Sequence, residues 1–197
     1  MKKSAQQRQN IIDVGRQLFA QKGYAGTSTR QINEQAGIAE GLLYYYFPQG
    51  KHQLLDVIVR EGVDSRMRVA HELLDNWDGS DVETHVMALF DGIATVIQDE
   101  VGYQSFLITV REREMLSDDQ SAWLIQSFDG VQASLVKSFL NLQTRRTPAE
   151  LQTLAHTLMS IFIRTLFDEL LLRNHRHLAP GTREKVDQQV RLVLQVL

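Results

Sequence analysis

STRQINEQAGIAEGLLYYYF, residues 28–47, reads as two short helices around a tight turn. The spacing predicts a first helix over about 28–35 and a second over about 39–46, with Ala36-Gly37-Ile38 between them. Ser28 and Gln31 form the S-x-x-Q pattern of a capping box, in which two side chains satisfy amide donors left free in a helix's first turn. Ile32 and Ala36 lie four apart and share a face, and Ala36 is small enough to admit a second helix closely. Gly37 can take the positive φ of a left-handed cap. Ile38, Leu43 and Phe47 can then fold back on Ile32. A helix pair joined by a short glycine turn is the helix-turn-helix pattern, whose second helix enters the DNA major groove. An ordinary helical hairpin has the same local signature, so the flanks carry the decision.

Upstream, Ile11, Ile12, Val14, Leu18 and Phe19 recur at helical spacing and predict a helix over about 5–22, stopped by Gly23. Gly15 interrupts it at a cost of about 1 kcal/mol relative to alanine. Downstream, a long helix is expected over about 51–76, with Leu54, Leu55, Ile58, Val59 and Val63 inward. The chain of 197 residues is 43% hydrophobic, has three prolines and shows little strand-like alternation, so the expected fold is all-α. No apolar run approaches the roughly 18 residues of a membrane span. The start, MKKSAQQRQN, lacks the apolar stretch of a signal peptide. The absence of cysteine excludes disulfides and thiolate metal sites and fits a reducing cytoplasm. The net charge of −3 divides unevenly: residues 1–51 carry +4 and residues 52–197 carry −7. A basic head on an acidic body suits a polyanionic partner, although a solvated basic face has the same composition.

The run IIDVGRQLFAQKGYAGTSTRQINEQAGIAEGLLYYYFPQGKHQLL, residues 11–55, resembles the DNA-binding domain of the tetracycline-repressor (TetR) family. The matching pieces are Leu18-Phe19 before Lys22-Gly23-Tyr24, Thr27-Ser28, Ile32, Ala36-Gly37-Ile38, Gly41, Leu43-Tyr44-Tyr45-Tyr46-Phe47-Pro48, Lys51 and Leu54-Leu55. The resemblance implies a helix-turn-helix DNA-binding domain over residues 5–65. It implies a divergent helical domain over 66–197 for effector binding and dimerisation. The implied function is that of a cytoplasmic dimeric repressor, with no cofactor, released from a near-palindromic double-stranded operator by a small molecule of unknown identity. A DNA-bound architectural or cell-division factor without an effector is the alternative. The chain departs from the family pattern in having Gly15 and Asn33 where alanine is usual, and Ala39 where serine or threonine caps the second helix. Glu40, Leu42 and the additional Gly50 also depart from it. These positions bear on the operator sequence rather than on the mode of binding.

Phosphate contacts are expected from the amides and hydroxyls of Thr27 and Ser28 at a helix N-terminus, from Lys51, and from the hydroxyls of Tyr44 and Tyr46. The base-contacting positions implied by the resemblance are Arg30, Glu40, Gly41, Leu42 and Tyr45. Arg30 suits guanine, Glu40 suits cytosine N4, and Leu42 and Tyr45 suit thymine methyls. Tyr44, Tyr45 and Tyr46 point roughly 100° apart on a helix, so not all three can face DNA. Lys2 and Lys3 read either as an arm onto DNA or as a solubilising tail.

In the body, Asp75 to Ser80 marks a break. Helices are expected over about 81–99, 102–116 and 119–142, the last preceded by Ser117 and Gln120 in capping-box spacing. Thr147-Pro148-Ala149-Glu150 is a strong helix start, and the pattern from there to Arg173 is apolar almost all round. The last helix begins near Thr182 and repeats Val186, Val190, Val193 and Leu197. These two helices are either core of one subunit or, as the resemblance implies, a homodimer interface over about 147–173 and 182–197. Effector-pocket candidates are Met87, Phe90, Tyr103, Phe106, Arg111, Trp123 and Phe128, each with plain core packing as the alternative. Arg111 suits an acidic ligand or a salt-bridge ladder within Arg111-Glu112-Arg113-Glu114. No HExxH, G-x-S-x-G or P-loop occurs, so no catalysis is expected. His175-x-His177 reads as a polar loop rather than a metal site.

Overall fold

Nine α-helices and no strand form among the residues described by the computed structural model, which are 2–77, 79–142 and 144–197. Asp78, within the expected break, and the side chain of Lys2 lie outside that description. The helices are α1 (Lys2–Lys22), α2 (Thr29–Ala36), α3 (Glu40–Tyr46), α4 (Lys51–Asp75), α5 (Val82–Gln98), α6 (Glu100–Arg111), α7 (Asp118–Leu140), α8 (Pro148–Phe167) and α9 (Thr182–Leu194). The chain divides into two compact units. One joins the residues up to Ser65 to Asp99–Leu124, and the other comprises Arg66–Gln98 and Ile125–Leu197. One break falls at Ser65/Arg66, and residues 99–124 pack with the residues that precede it.

The first unit is built around α1. Ile11, Ile12, Leu18 and Phe19 are buried, as the stripe predicts, with Ile32, Leu43, Phe47, Leu54, Leu55 and Ile58 around them. Gly15 faces α4 so closely that a β-carbon there would lie 2.6 Å from Leu54 Cδ2. The glycine that weakens α1 intrinsically is what lets α4 approach it. Arg16 is also buried, and its guanidinium meets Asp13 at 2.8 Å and Glu61 at 3.3 Å.

Within this unit, residues 99–124 clasp the head at several points. Arg111 donates to the carbonyls of Phe19 and Ala20 at 2.9 and 2.7 Å at the C-terminal end of α1, where the Phe19 carbonyl also accepts from the Gly23 amide. Glu112 accepts the Tyr24 amide at 3.0 Å. The Gln120 side chain donates to the Asp56 carbonyl, and Arg60 lies 4.3 Å over the Trp123 ring. Ser117 accepts the Gln120 amide, but Gln120 reaches Asp56 instead of closing a reciprocal box. The α6 helix spans Glu100–Arg111 rather than 102–116: Asp99 caps it at the Val101 amide, and a short 3₁₀ turn, Arg113–Met115, follows.

In the second unit, α5 buries Val86, Met87, Leu89, Phe90 and Ile93. Salt bridges from Asp91 to Arg183 and from Glu83 to Arg191 pin it to α9. The expected capping box at the start of α8 forms, with Thr147 and Glu150 exchanging both hydrogen bonds. The helix stops being α at Phe167 and continues as a π turn, Asp168–Leu172. That wider turn places Glu169 in the interior. There it accepts from the Ala179 amide and meets His175 Nδ1 at 2.8 Å, fixing the loop before α9.

Candidate nucleic-acid interface

The helix-turn-helix stretch folds as its pattern predicts. Ser28 accepts the Gln31 amide while Gln31 accepts the Ser28 amide at 2.8 Å, completing the capping box. Gly37 is left-handed (φ 64°, ψ 39°). The Ile38 amide bonds to the Asn33 carbonyl and the Gly37 amide to the Glu34 carbonyl, the paired bonds of a Schellman motif. Asn10 of α1 adds a third tie by donating to the Ala36 carbonyl at 3.0 Å. Ala39 begins α3 with no side-chain cap, as its identity requires.

Supported in this way, α3 turns Leu43 into the core and holds Phe47 beneath it. Its other face is open. Glu40 and Gly41 are exposed, Leu42 is half-buried, and Tyr45 is 73% exposed. Beyond α3's own backbone and the adjoining residues, nothing lies within 4 Å of where a Gly41 side chain would begin, so another surface can approach the backbone there. Tyr44 is exposed and rests beside Gly50, whose φ of +64° and tight space favour glycine at that position. Tyr46 turns back: its hydroxyl meets Ser4 Oγ at 3.1 Å, and its ring packs edge-on against Tyr45. The three tyrosines therefore divide as helical geometry demands.

The cationic groups are less free than the count of charges suggests. Arg30 is exposed but paired with Glu34 at 2.8 Å. Arg16 is neutralised internally, and Arg8 lies 5.3 Å over the Phe47 ring. Lys51 donates to the carbonyls of Tyr24 and Thr27 at 2.9 Å each and sits 4.1 Å over the Tyr24 ring. Its ammonium fixes the connection leading into α2. Thr27 is 1% exposed and its hydroxyl donates to the Gly23 carbonyl at 2.9 Å, so that hydroxyl faces the core. Sequence reasoning gave both residues to phosphate. Here their polar groups bond backbone carbonyls that lead into α2, whose Ser28 is exposed.

The effector candidates divide between the two units. In the second unit Met87 and Phe90 are core, Phe90 packing 5.1 Å from Phe162, whereas Phe128 is an exposed residue of α7. In the first unit Tyr103 and Phe106 are half-buried, Trp123 stacks under Arg60, and Arg111 caps α1. Arg66 of α4, which the sequence reading passed over, is buried. Its signal was present, because it interrupts the inward stripe of Val59, Val63 and Ala70 with a charge. No group of three metal-ligating side chains occurs among the described residues, and no helix there is long and apolar enough to cross a membrane.

A capped α2, a left-handed glycine turn and an α3 open on one face define a helix-turn-helix protein. Residues 11–58 match the family described as bacterial regulatory proteins, tetR family. The HTH-type transcriptional repressor KstR2 of Rhodococcus jostii (strain RHA1) is 28% identical over 109 residues, which cover 48% of this chain and 50% of that repressor. The chain thus spans half the length of that relative. Among solved structures, the TetR family regulator PfmR of Thermus thermophilus superposes with a TM-score of 0.71 at 16% identity, covering 95% of this chain and 98% of that one. AibR, solved with isovaleryl coenzyme A and operator DNA, superposes with a TM-score of 0.64 at 16% identity, covering 96% and 97%. At such identities these likenesses speak for the fold.

Proposed function

We propose that the protein is a dimeric transcriptional repressor that leaves a near-palindromic operator when a small molecule binds its second unit. The observation that carries the DNA-binding part is the open face of α3, with Glu40, Gly41 and Tyr45 outward on a helix held from behind by Leu43 and Phe47. An uncapped α3 gains order on contact with DNA. Arg30 contributes by exchanging Glu34 for a base or phosphate, so its net contribution is smaller than that of an unpaired arginine.

Dimerisation is supported by apolar residues left on the surface of the second unit. Ile163 and Phe167 of α8 and Leu192 of α9 are exposed, and contiguous solvent-facing apolar groups suit an interface. A self-complementary pair of such faces gives a two-fold dimer, which matches a palindromic site. That this fold can bind a small molecule as well as operator DNA is supported by AibR, solved with isovaleryl coenzyme A and operator DNA. In this reading the signal would reach the head through Arg111 and Glu112 of the 99–124 segment, which hold the end of α1 within the first unit.

The test is selection of genomic fragments by the purified protein, followed by anisotropy titrations on the recovered site. A two-fold site bound by two chains, and released by a metabolite of the adjacent genes, is the expected result. A single asymmetric site bound by one chain would overturn the dimeric reading. Many sites with no ligand response would point to an architectural role.

A further inference from the structure

Arg66 lies on α4 in the second unit, 4% exposed, and its Nη1 has no hydrogen-bond partner. Burial alone pulls its pKa down to about 10, with no neighbouring acid opposing the shift. The same chain shows a buried arginine that is answered: Arg16, equally enclosed, meets Asp13 and Glu61. The buried positions beside Arg66 along α4 are apolar. On α4 the buried neighbours are Met67, Ala70 and Leu74. One and two turns beyond Arg66, Val69 and Leu73 pack on Gly92 of α5 so tightly that a β-carbon there would lie 2.7 Å from Leu73. A guanidinium enclosed in this way without a counter-charge is strongly unfavourable. A native structure that keeps such a group calls for a partner it meets in some other state.

We propose that Arg66 is the anchor of the effector site and binds the carboxylate of a small, otherwise apolar acid. This rests on the effector-released reading above and names the ligand's chemical class. The planar fork of a guanidinium matches a carboxylate through two parallel hydrogen bonds. One positive charge balances one negative charge. A phosphate monoester carries about −1.5 to −2 at neutral pH and would leave charge buried and unmatched. The apolar neighbours suit a hydrocarbon body on the acid. Binding also supplies a switch, because a ligand that satisfies Arg66 favours whichever conformation encloses it.

The experiment uses the full chain as wild type, Arg66→Met and Arg66→Lys, with hexanoate, decanoate, phenylacetate and their primary amides as probes. Calorimetry and thermal unfolding read binding, and anisotropy on the selected operator reads DNA release. At least one acid is expected to bind wild type, with its amide about thirtyfold weaker or more. Arg66→Met should unfold at no lower temperature than wild type without ligand, keep operator affinity and lose the acid. Arg66→Lys should retain weakened binding. The anchor is overturned if no acid binds wild type, if Arg66→Met binds the acid equally well, or if Arg66→Met without ligand is clearly destabilised. An acid held through Arg66 that never releases DNA would sink the effector reading and leave the anchor standing. Release by a ligand indifferent to Arg66 would do the reverse.

Discussion

Tyr45 and Lys51 sit six residues apart and do different work. Tyr45 is 73% exposed on the open face of α3 and supports little of the fold. Lys51 gives its ammonium to two carbonyls and a ring inside the head. Tyr45→Ala should leave the stability within about 0.5 kcal/mol of wild type and weaken the selected operator by about 1–3 kcal/mol, with random DNA little affected. Equal losses on both DNAs, read by anisotropy at fixed salt, would remove Tyr45 from base contact. Lys51→Met should cost about 1–3 kcal/mol of stability by removing the ammonium from the Thr27 carbonyl and from the Tyr24 carbonyl, which keeps the Thr27 amide, seen as a lower urea midpoint. Gly15 offers a sharper contrast. Helix propensity alone predicts that Gly15→Ala stabilises by about 1 kcal/mol. The contact with Leu54, which is fully buried, predicts a loss of about 1–3 kcal/mol from overpacking. A raised midpoint would mean that α1 and α4 can separate at little cost. The role of Lys51 was hidden in the sequence because a lysine at a helix start looks alike whether its ammonium meets a phosphate or a carbonyl 24 residues back.

Local rules worked well for the elements. The capping boxes at Ser28 and Thr147, the glycine turn at Gly37 and the uncapped Ala39 all form as their side-chain chemistry requires. These signals lie within a few residues of one another, so a sequence displays them directly. The places where elements ended differently depend on distant partners. The α6 helix gives way after Arg111, where Arg111 and Glu112 engage α1 and Tyr24. The α8 helix widens into a π turn where Glu169 reaches His175 and Ala179. Ala39→Ser tests the first kind of signal and should stabilise α3 by about 0.5–2 kcal/mol, with tighter binding to random and specific DNA alike; no change in either would mean that α3 is already fully ordered. The π turn makes a pH prediction. The hydrogen bond from His175, and after it that from Ala179, holds the Glu169 carboxyl below its ordinary value of 4.5. A carboxyl whose folded pKa is depressed contributes stability that is fully present above the unfolded value and is lost as pH falls through the folded one. Wild type should therefore lose stability below pH 4.5 more steeply than Glu169→Gln. Parallel acid limbs in thermal melts would show that the Glu169 cluster does not couple to folding.

At the scale of the whole chain, two compact units share two helices: α4 begins in one and ends in the other, and so does α7. Helical periodicity cannot reveal such a division, because a helix that changes unit midway keeps its pattern. The second unit also leaves apolar side chains in solvent. Ile163 and Phe167 are four apart on α8, one turn along the same face, and Leu192 lies on α9. Buried positions of α8 such as Leu158 and Phe162 complete the core of their own subunit, so the outer face is what a second copy would cover. The double Ile163→Glu, Phe167→Glu variant tests this directly. It should remain folded, since neither residue is buried, and should sediment as a monomer where wild type sediments as a dimer. Two half-sites would then be bound independently instead of together. Operator affinity should fall by about 10²-fold or more, because the gain from tethering two heads is lost, while binding to a single half-site stays unchanged. A variant that remains dimeric with unaltered operator affinity would exclude the α8 face as the interface. Monomers that still bind the full operator at wild-type affinity would show that dimerisation and DNA recognition are uncoupled in this protein.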